Sequence, residues 1–196
     1  TGTDGNLTWT FDSSTVGEDF DYLAADETLT LTYAVTVTDT AGATDTQNVV
    51  ITITGSDDAP VISTDAGAVA EDGTQKVSGT LTATDADNAD LAFVAATDGS
   101  DYGSFEVAAD GSWTYTLDND ATETQALADG QIVTETYTVA LSDGSTTTVT
   151  VTITGDNDGP LIRVDADDSA AASLAEANVP LSATGTLSVS DVDLTD

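Results

Sequence analysis

The sequence predicts an all-β protein built as tandem seven-stranded β-sandwiches joined end to end. Three observations carry this. Apolar residues alternate with Thr and Ser at a period of two in many short windows, as in a strand with one buried face. Gly- and Asp-rich turn signals separate those windows, and none of them has helical periodicity. The chain also repeats itself: residues 49–62 read VVITITGSDDAPVI and residues 149–162 read VTVTITGDNDGPLI, a period of 100 residues. A fixed period of that size assigns the fold, and with it the function, to a repeating unit.

The period divides the chain. Residues 1–55 are the C-terminal part of a first repeat, 56–60 an acidic linker and 61–155 a complete repeat. Residues 156–160 are a second acidic linker, and 161–196 are the N-terminal part of a third repeat. The complete repeat holds seven strand windows. The first covers 61–70. The second, 77–84, alternates Val77, Leu81 and Ala83 with Ser and Thr. The third, 91–96, carries Leu91 and Phe93, and the fourth, 103–108, carries Phe105 and Val107. Asp110-Gly111 turns the chain into the fifth, with Trp113, Tyr115 and Leu117 on one face. The sixth, 132–142, points Val133, Tyr137, Val139 and Leu141 inward, and the seventh, 147–154, does so with Val149, Val151 and Ile153. Many short alternating strands with such turns indicate a sandwich. In the flanking pieces, residues 4–12 match 110–118, Tyr33, Val35 and Val37 match Tyr137, Val139 and Leu141, and Gly185 to Asp193 match Gly79 to Asp87. The chain therefore reads as an excerpt that begins inside one repeat and stops inside another.

Composition narrows the functions. With 36 acidic and 2 basic residues (Lys76 and Arg163), the formal charge is −34. Nucleic acid and anionic membrane surfaces depend on Lys and Arg for attraction and are poor partners. The absence of Cys and His removes disulfides, thiol chemistry, His-based acid/base catalysis and ordinary zinc sites. No apolar run reaches the length of a membrane span, so direct membrane insertion is not expected. A charge this large opposes compaction and raises disorder as a competing reading. Against it, 39% of residues are hydrophobic and they keep the strand period.

Strand parity places the acids. If seven strands alternate up and down, the second, fourth and sixth finish at the end of the repeat that faces its predecessor. Asp85, Asp87 and Asp90 follow the second strand and Asp143 the sixth, so all four lie at that pole. Glu71 and Asp72 follow the first strand, and Asp118, Asp120 and Glu123 the fifth, which puts them at the opposite pole. Only Glu106 and Glu135 fall well inside a strand. An odd strand count sends the chain in at one pole and out at the other, stringing repeats end to end at roughly 35–45 Å each. Each junction then gathers side-chain oxygens, nearly all carboxylate, from one pole, from a linker (Asp57 and Asp58, or Asp156, Asn157 and Asp158) and from the next pole (Asp85 and Asp87, or Asp191 and Asp193). Carboxylates this close repel unless a cation neutralises them. Ca²⁺ fits best, because it accepts about six to eight oxygens in flexible geometry, whereas Mg²⁺ demands a tight octahedron. The plain alternative is that Asp is a favoured turn former; Asp98, Asp101, Asp110 and Asp129 are assigned to that role. Pro60 and Pro160 stiffen the chain as it leaves each linker.

The run from Asp98 to Ile162 contains DYGSFEVAADGSWTYTLDND, QALADGQ, ETYTVALSDG and VTVTITGDNDGP. It resembles the VCBS-type repeat, a bacterial cadherin-like domain found in tandem in giant RTX-type surface adhesins, and the likeness covers essentially the whole chain. The same sites resemble cadherin calcium motifs. Ser56-Asp57-Asp58-Ala59-Pro60 and Asp156-Asn157-Asp158-Gly159-Pro160 look like the Asn-Asp-Asn linker before Ala-Pro. Asp85-Ala86-Asp87 and Asp191-Val192-Asp193 look like the Asp-x-Asp element. Asp143 and Asp39 fall where cadherins keep an Asp before Gly, and Glu71 where they keep an acid after the first strand. Ser56 and Asp58 depart from the pattern, and the segment after the fifth strand is longer than the cadherin acidic motif. The resemblance implies a cadherin/immunoglobulin-like sandwich, Ca²⁺ as the bound ion, and a place outside the cell on a bacterial surface.

Two functions were weighed. In the first, Ca²⁺ in the junctions stiffens the repeats into a structural extender of a cell-surface adhesin used in adhesion and biofilms. Its partners are the neighbouring repeats of the same chain, with distal adhesin domains outside this stretch. In the second, the repeat is a calcium-dependent carbohydrate- or protein-binding module with Trp9, Trp113 and the tyrosines as a platform. The alternation of those rings with Leu and Phe makes them core residues instead. An enzyme is not expected: glycoside hydrolysis by paired acids needs a cleft, and these acids gather at junctions.

Overall fold

The computed structural model describes residues 5–15, 19–176 and 178–193. The chain divides into two compact units, Thr1–Val61 with Ala83–Leu91, and Ile62–Thr82 with Ala92–Asp196.

In the first unit, β1 (Thr28–Thr38) and β2 (Thr44–Thr54) form a long antiparallel hairpin in which Leu29 faces Ile53, Tyr33 faces Val49 and Val37 faces Asp45. Period-two alternation sends Thr to one face, where the Thr36 and Thr46 hydroxyls meet at 2.8 Å. Tyr33, Val35, Val49 and Ile51 on the other face join Trp9 and Phe11 around a hollow of about 250 Å³. A 3-10 turn spans Ser13–Thr15. Two short strands follow along the chain, β3 (Val61–Ile62) and β6 (Ala83–Thr84), with β4 and β5 between them in sequence.

The second unit contains the sandwich. Its strands are β4 (Asp65–Ala70), β5 (Lys76–Thr80), β7 (Ala96–Gly99), β8 (Gly103–Val107), β9 (Ser112–Leu117), β10 (Ile132–Ala140) and β11 (Thr146–Thr154). Three make one sheet in the order β10-β11-β4, and four make the other in the order β5-β9-β8-β7. β4 runs parallel to β11, with Asp65 opposite Val149 and Ala70 opposite Thr154; the other pairings are antiparallel. Most of the expected inward residues form the core: Phe105, Trp113, Tyr115, Leu117, Tyr137, Val139, Leu141, Val149, Val151 and Ile153 are all buried, while Val133 is half-buried. Phe105 stacks on Tyr137 with ring centres 4.5 Å apart and planes 7° apart, and on Trp113 at 5.9 Å. Past this sandwich, β12 (Leu161–Arg163) pairs antiparallel with β13 (Ser188–Ser190).

Besides the breaking of the windows 61–70 and 77–84 into β3 with β4 and β5 with β6, two features differ from the sequence reading. The third strand lies later than 91–96, because the segment changes sheets. Phe93 is buried and bridges to Leu141, the Val94 amide donates to the Ala140 carbonyl, and only from Ala96 does the chain pair with β8. A core aromatic at a corner draws the chain to the opposite sheet first. The second is a one-turn helix, α1 (Thr122–Gln125), between β9 and β10; four residues are too few to show a period. The Asp110-Gly111 turn forms as expected. Asp110 Oδ1 accepts the Ser112 amide at 3.0 Å and its hydroxyl at 2.6 Å, and Gly111 holds φ +82 beside the Phe93 ring.

Glu135, on the inward face of β10, accepts the Tyr115 and Tyr137 hydroxyls on the same oxygen, Oε2, at 2.7 and 2.8 Å. Burial pushes the Tyr137 phenol up to about 12 and raises Tyr115 as well, so both remain donors. The aligned positions in the first unit are Trp9 and Leu31, an apolar pair in place of Tyr115 and Glu135. Glu135→Leu alone takes the shared carboxylate acceptor from two phenols and is expected to cost about 2–3 kcal/mol in urea unfolding. Adding Tyr115→Phe to it should cost less than the sum of the two single changes. Strict additivity would show that the hydrogen bond does not couple the sheets.

Candidate metal centre

The junction after β11 is assembled within the second unit. Thr154 ends the strand, and its carbonyl accepts the Glu71 amide at 2.9 Å, which sets the end of β4 beside the linker. Gly155 follows, packed so closely against the Leu127 and Ala128 backbone that a side chain there has no room. Its amide donates to the Gln131 carbonyl at 2.8 Å. The linker is thereby fixed at its first residue.

Glu71 is only 2% exposed. Its Oε2 accepts the Asp156 amide at 3.1 Å, and its Oε1 accepts Gln125 Nε2 at 3.0 Å. Asn157 folds over the linker, its side-chain amide donating to the Asp158 carbonyl at 2.8 Å and its backbone amide to Asp156 Oδ1 at 3.0 Å. The Asp158 amide donates to Asp193 Oδ2 at 2.7 Å, and the Asp193 amide to Asp191 Oδ1 at 3.2 Å. Asp193 is 3% exposed, and its Oδ1, like Asp158 Oδ2, is buried with no hydrogen-bond partner. Burial raises the Glu71 carboxyl, with repulsion from Asp158, Asp193 and Asp72 adding to it. Burial likewise raises Asp158, followed by repulsion from Asp193, Asp72, Asp191 and Asp156.

The first unit repeats the pattern. The Asp58 amide donates to Asp87 Oδ2 at 3.0 Å, and the Asp87 amide to Asp85 Oδ1 at 3.1 Å. A hydrogen bond shared with the Asp87 side chain raises Asp85, while the Asp58 amide lowers Asp87. Asp58, Thr84, Asp85 and Asp21 line a hollow of about 440 Å³, and Asp57 is exposed on the linker. Both linkers thus meet their Asp-x-Asp element through the same two amide-to-carboxylate bonds.

Other expected ligands have local duties. Asp72 holds a left-handed backbone (φ +50), and it exchanges two hydrogen bonds with Asn119, at 2.9 and 2.7 Å. Asp118 Oδ1 accepts the Asp120 amide at 3.2 Å. Asp143 Oδ1 closes its own hairpin on the Ser145 amide (2.9 Å) and hydroxyl (2.6 Å), and the hydroxyl bond lowers its carboxyl. Gln125, Asn119 and Asp21 were not anticipated. Alignment of Leu127-Ala128 with Leu23-Ala24 would have pointed to the pair Gln125 and Asp21.

Among the described residues, no group of three or more acidic side chains closes around one point as a finished cage. The donor set nevertheless fits a hard divalent cation. Every candidate ligand is an oxygen, and two buried carboxylate oxygens, Asp158 Oδ2 and Asp193 Oδ1, lack any donor.

The raised Glu71 carboxyl has a pH consequence in chelator. A carboxyl whose folded-state affinity for the proton exceeds its unfolded one contributes stability below its ordinary titration range. That contribution is lost as pH rises through the folded value. Wild-type chain is expected to lose stability relative to Glu71→Gln as pH rises above the ordinary glutamate range. Parallel melting profiles of the two proteins would refute this.

No curated protein matches the chain at a significant level. No helix among the described residues is long and apolar enough to cross a membrane. Residues 57–155, half of the chain, match the bacterial cadherin-like domain. With the fold and the linker pattern above, the chain belongs to the bacterial cadherin-like domain family.

Proposed function

We propose that this chain is a stretch of calcium-rigidified extender repeats from a large bacterial cell-surface adhesin, where it projects a distal binding domain. The observation that carries this reading is the recurrence, at both linkers, of the same Asp amide–Asp carboxylate arrangement. At the second linker it comes with two buried carboxylate oxygens that lack partners. Glu71, Asp156, Asp158, Asp191 and Asp193 would hold calcium there, and Asp57, Asp58, Asp85 and Asp87 at the first. The ion supplies positive charge and links segments of the chain that are far apart in sequence. In its absence, like charges drive the same segments apart. The linker then has no reason to keep one geometry.

Family membership favours an extracellular repeat module and calcium as the ion. Outside the cell, millimolar calcium saturates sites with dissociation constants on the order of 10⁻⁴–10⁻³ M. The role is mechanical: the residues at the junctions bind and neutralise, and none is assigned a catalytic step. Small-angle scattering in calcium and in chelator tests it. A maximum dimension that falls or broadens in chelator supports the extender; identical curves remove it.

A further inference from the structure

Glu71 is the most enclosed carboxylate at the second linker, and a single side chain donates to it. That donor is Gln125, the last residue of α1, whose Nε2 lies 3.0 Å from Glu71 Oε1. The opposite oxygen, Oε2, is left to the Asp156 amide. A carboxylate gripped on one oxygen cannot roll about its own axis. The Gln125 amide therefore sets the plane in which Glu71 presents its other oxygen to the linker.

The first unit has a different residue at the same place. Leu23 and Leu127 are both buried, and the carbonyls of Leu23 and Ala24 crowd Gly55 as those of Leu127 and Ala128 crowd Gly155. The Ala24 amide reaches Glu27 Oε2 at 3.2 Å, and the Ala128 amide reaches Gln131 Oε1 at 3.3 Å. Gly55 and Gly155 donate to the carbonyls of Glu27 and Gln131, each at 2.8 Å. Counting back two residues from each leucine aligns Asp21 with Gln125. Asp21 lines the hollow it shares with Asp58 and Asp85. One linker is thus served by a neutral amide and the other by a carboxylate.

We propose that Gln125 is a positioning residue for the cation cradle at Asp156–Asp158, orienting Glu71 without touching the ion. This rests on the calcium reading above. A partner that orients a ligand typically changes metal affinity about 10–100-fold when removed.

Calorimetric titration of the 196-residue chain with calcium chloride, with melting curves in chelator, tests the assignment. Gln125→Met keeps length and volume and removes the donor; Gln125→Asn withdraws the amide by one methylene and serves if the Met variant misfolds. The expected result is two classes of site in the wild type. In the variant, the second linker's class weakens about 10–100-fold while the other is unchanged. A variant that melts lower in chelator yet binds calcium as the wild type does would overturn the proposal, since Gln125 would then be merely structural. A wild type that binds no calcium would instead remove the calcium reading itself, whatever the variants do.

Discussion

Stripping calcium, supplied at 100 times its dissociation constant, from the chain is expected to lower its melting temperature by roughly 10–20 °C. The figure follows from linkage: a ligand at 100 times its dissociation constant stabilises the state that binds it by about 2.7 kcal/mol per site. For a domain of about 100 residues, each kcal/mol moves the midpoint by about 4–8 °C. The unfolded chain lacks the gathered carboxylates, so it gains little from the ion. The sites expected to be responsible include Asp158 and Asp193, whose buried oxygens have no donor. Magnesium at equal concentration should restore only part of the shift, given its demand for a rigid octahedron. Calorimetric melts in calcium, in magnesium and in chelator measure all three terms. Superimposable curves would leave the junction acids as ordinary solvated turns.

Phe105→Ala is expected to destabilise the sandwich by about 3–5 kcal/mol, a large part of the stability of a domain this size. Phe105 fills the space between the two sheets, lying flat on Tyr137 and against Trp113. Removing the ring leaves a cavity bounded by rigid strands that cannot collapse into it. Its neighbour Glu106 points the other way on the same strand and is exposed, so Glu106→Ala should change stability by no more than about 0.5 kcal/mol. Urea unfolding of both variants, followed by tryptophan fluorescence, gives the comparison. Equal effects would mean that the inward and outward faces of β8 are wrongly assigned.

Much of the sandwich is legible because strand parity is strict. Trp113, Tyr115 and Leu117 alternate with Ser112, Thr114 and Thr116, and all three of the former are buried. The β11 run, where Val149, Val151 and Ile153 alternate with Thr, is equally clear. Parity fails where the chain leaves one sheet for the other. Leu91 and Phe93 have the spacing of a strand, yet what fixes the place of Phe93 is the bridge to Leu141, a contact almost 50 residues away that no local window contains. At the metal centre, the linker and Asp-x-Asp elements are readable because they recur from copy to copy. Gln125 is not readable by charge: a neutral amide in a polar connection has no local signature. Its importance comes only from the buried carboxylate that β4 brings to it. Asp143 illustrates the converse. Its acidity and position suit a ligand, and the structure shows its Oδ1 engaged in closing its own hairpin.

The parallel pairing of β4 with β11 has a mechanical consequence. The chain comes into the sandwich ahead of Asp65 and leaves it after Thr154, at opposite ends of two strands that run the same way. Tension applied through those two ends slides β4 and β11 past each other along their length. The rungs between Asp65 and Ala70 on one strand and Val149 and Thr154 on the other are then loaded together instead of peeling in sequence. A string of such units would resist being drawn out along its length until the whole ladder yields at once.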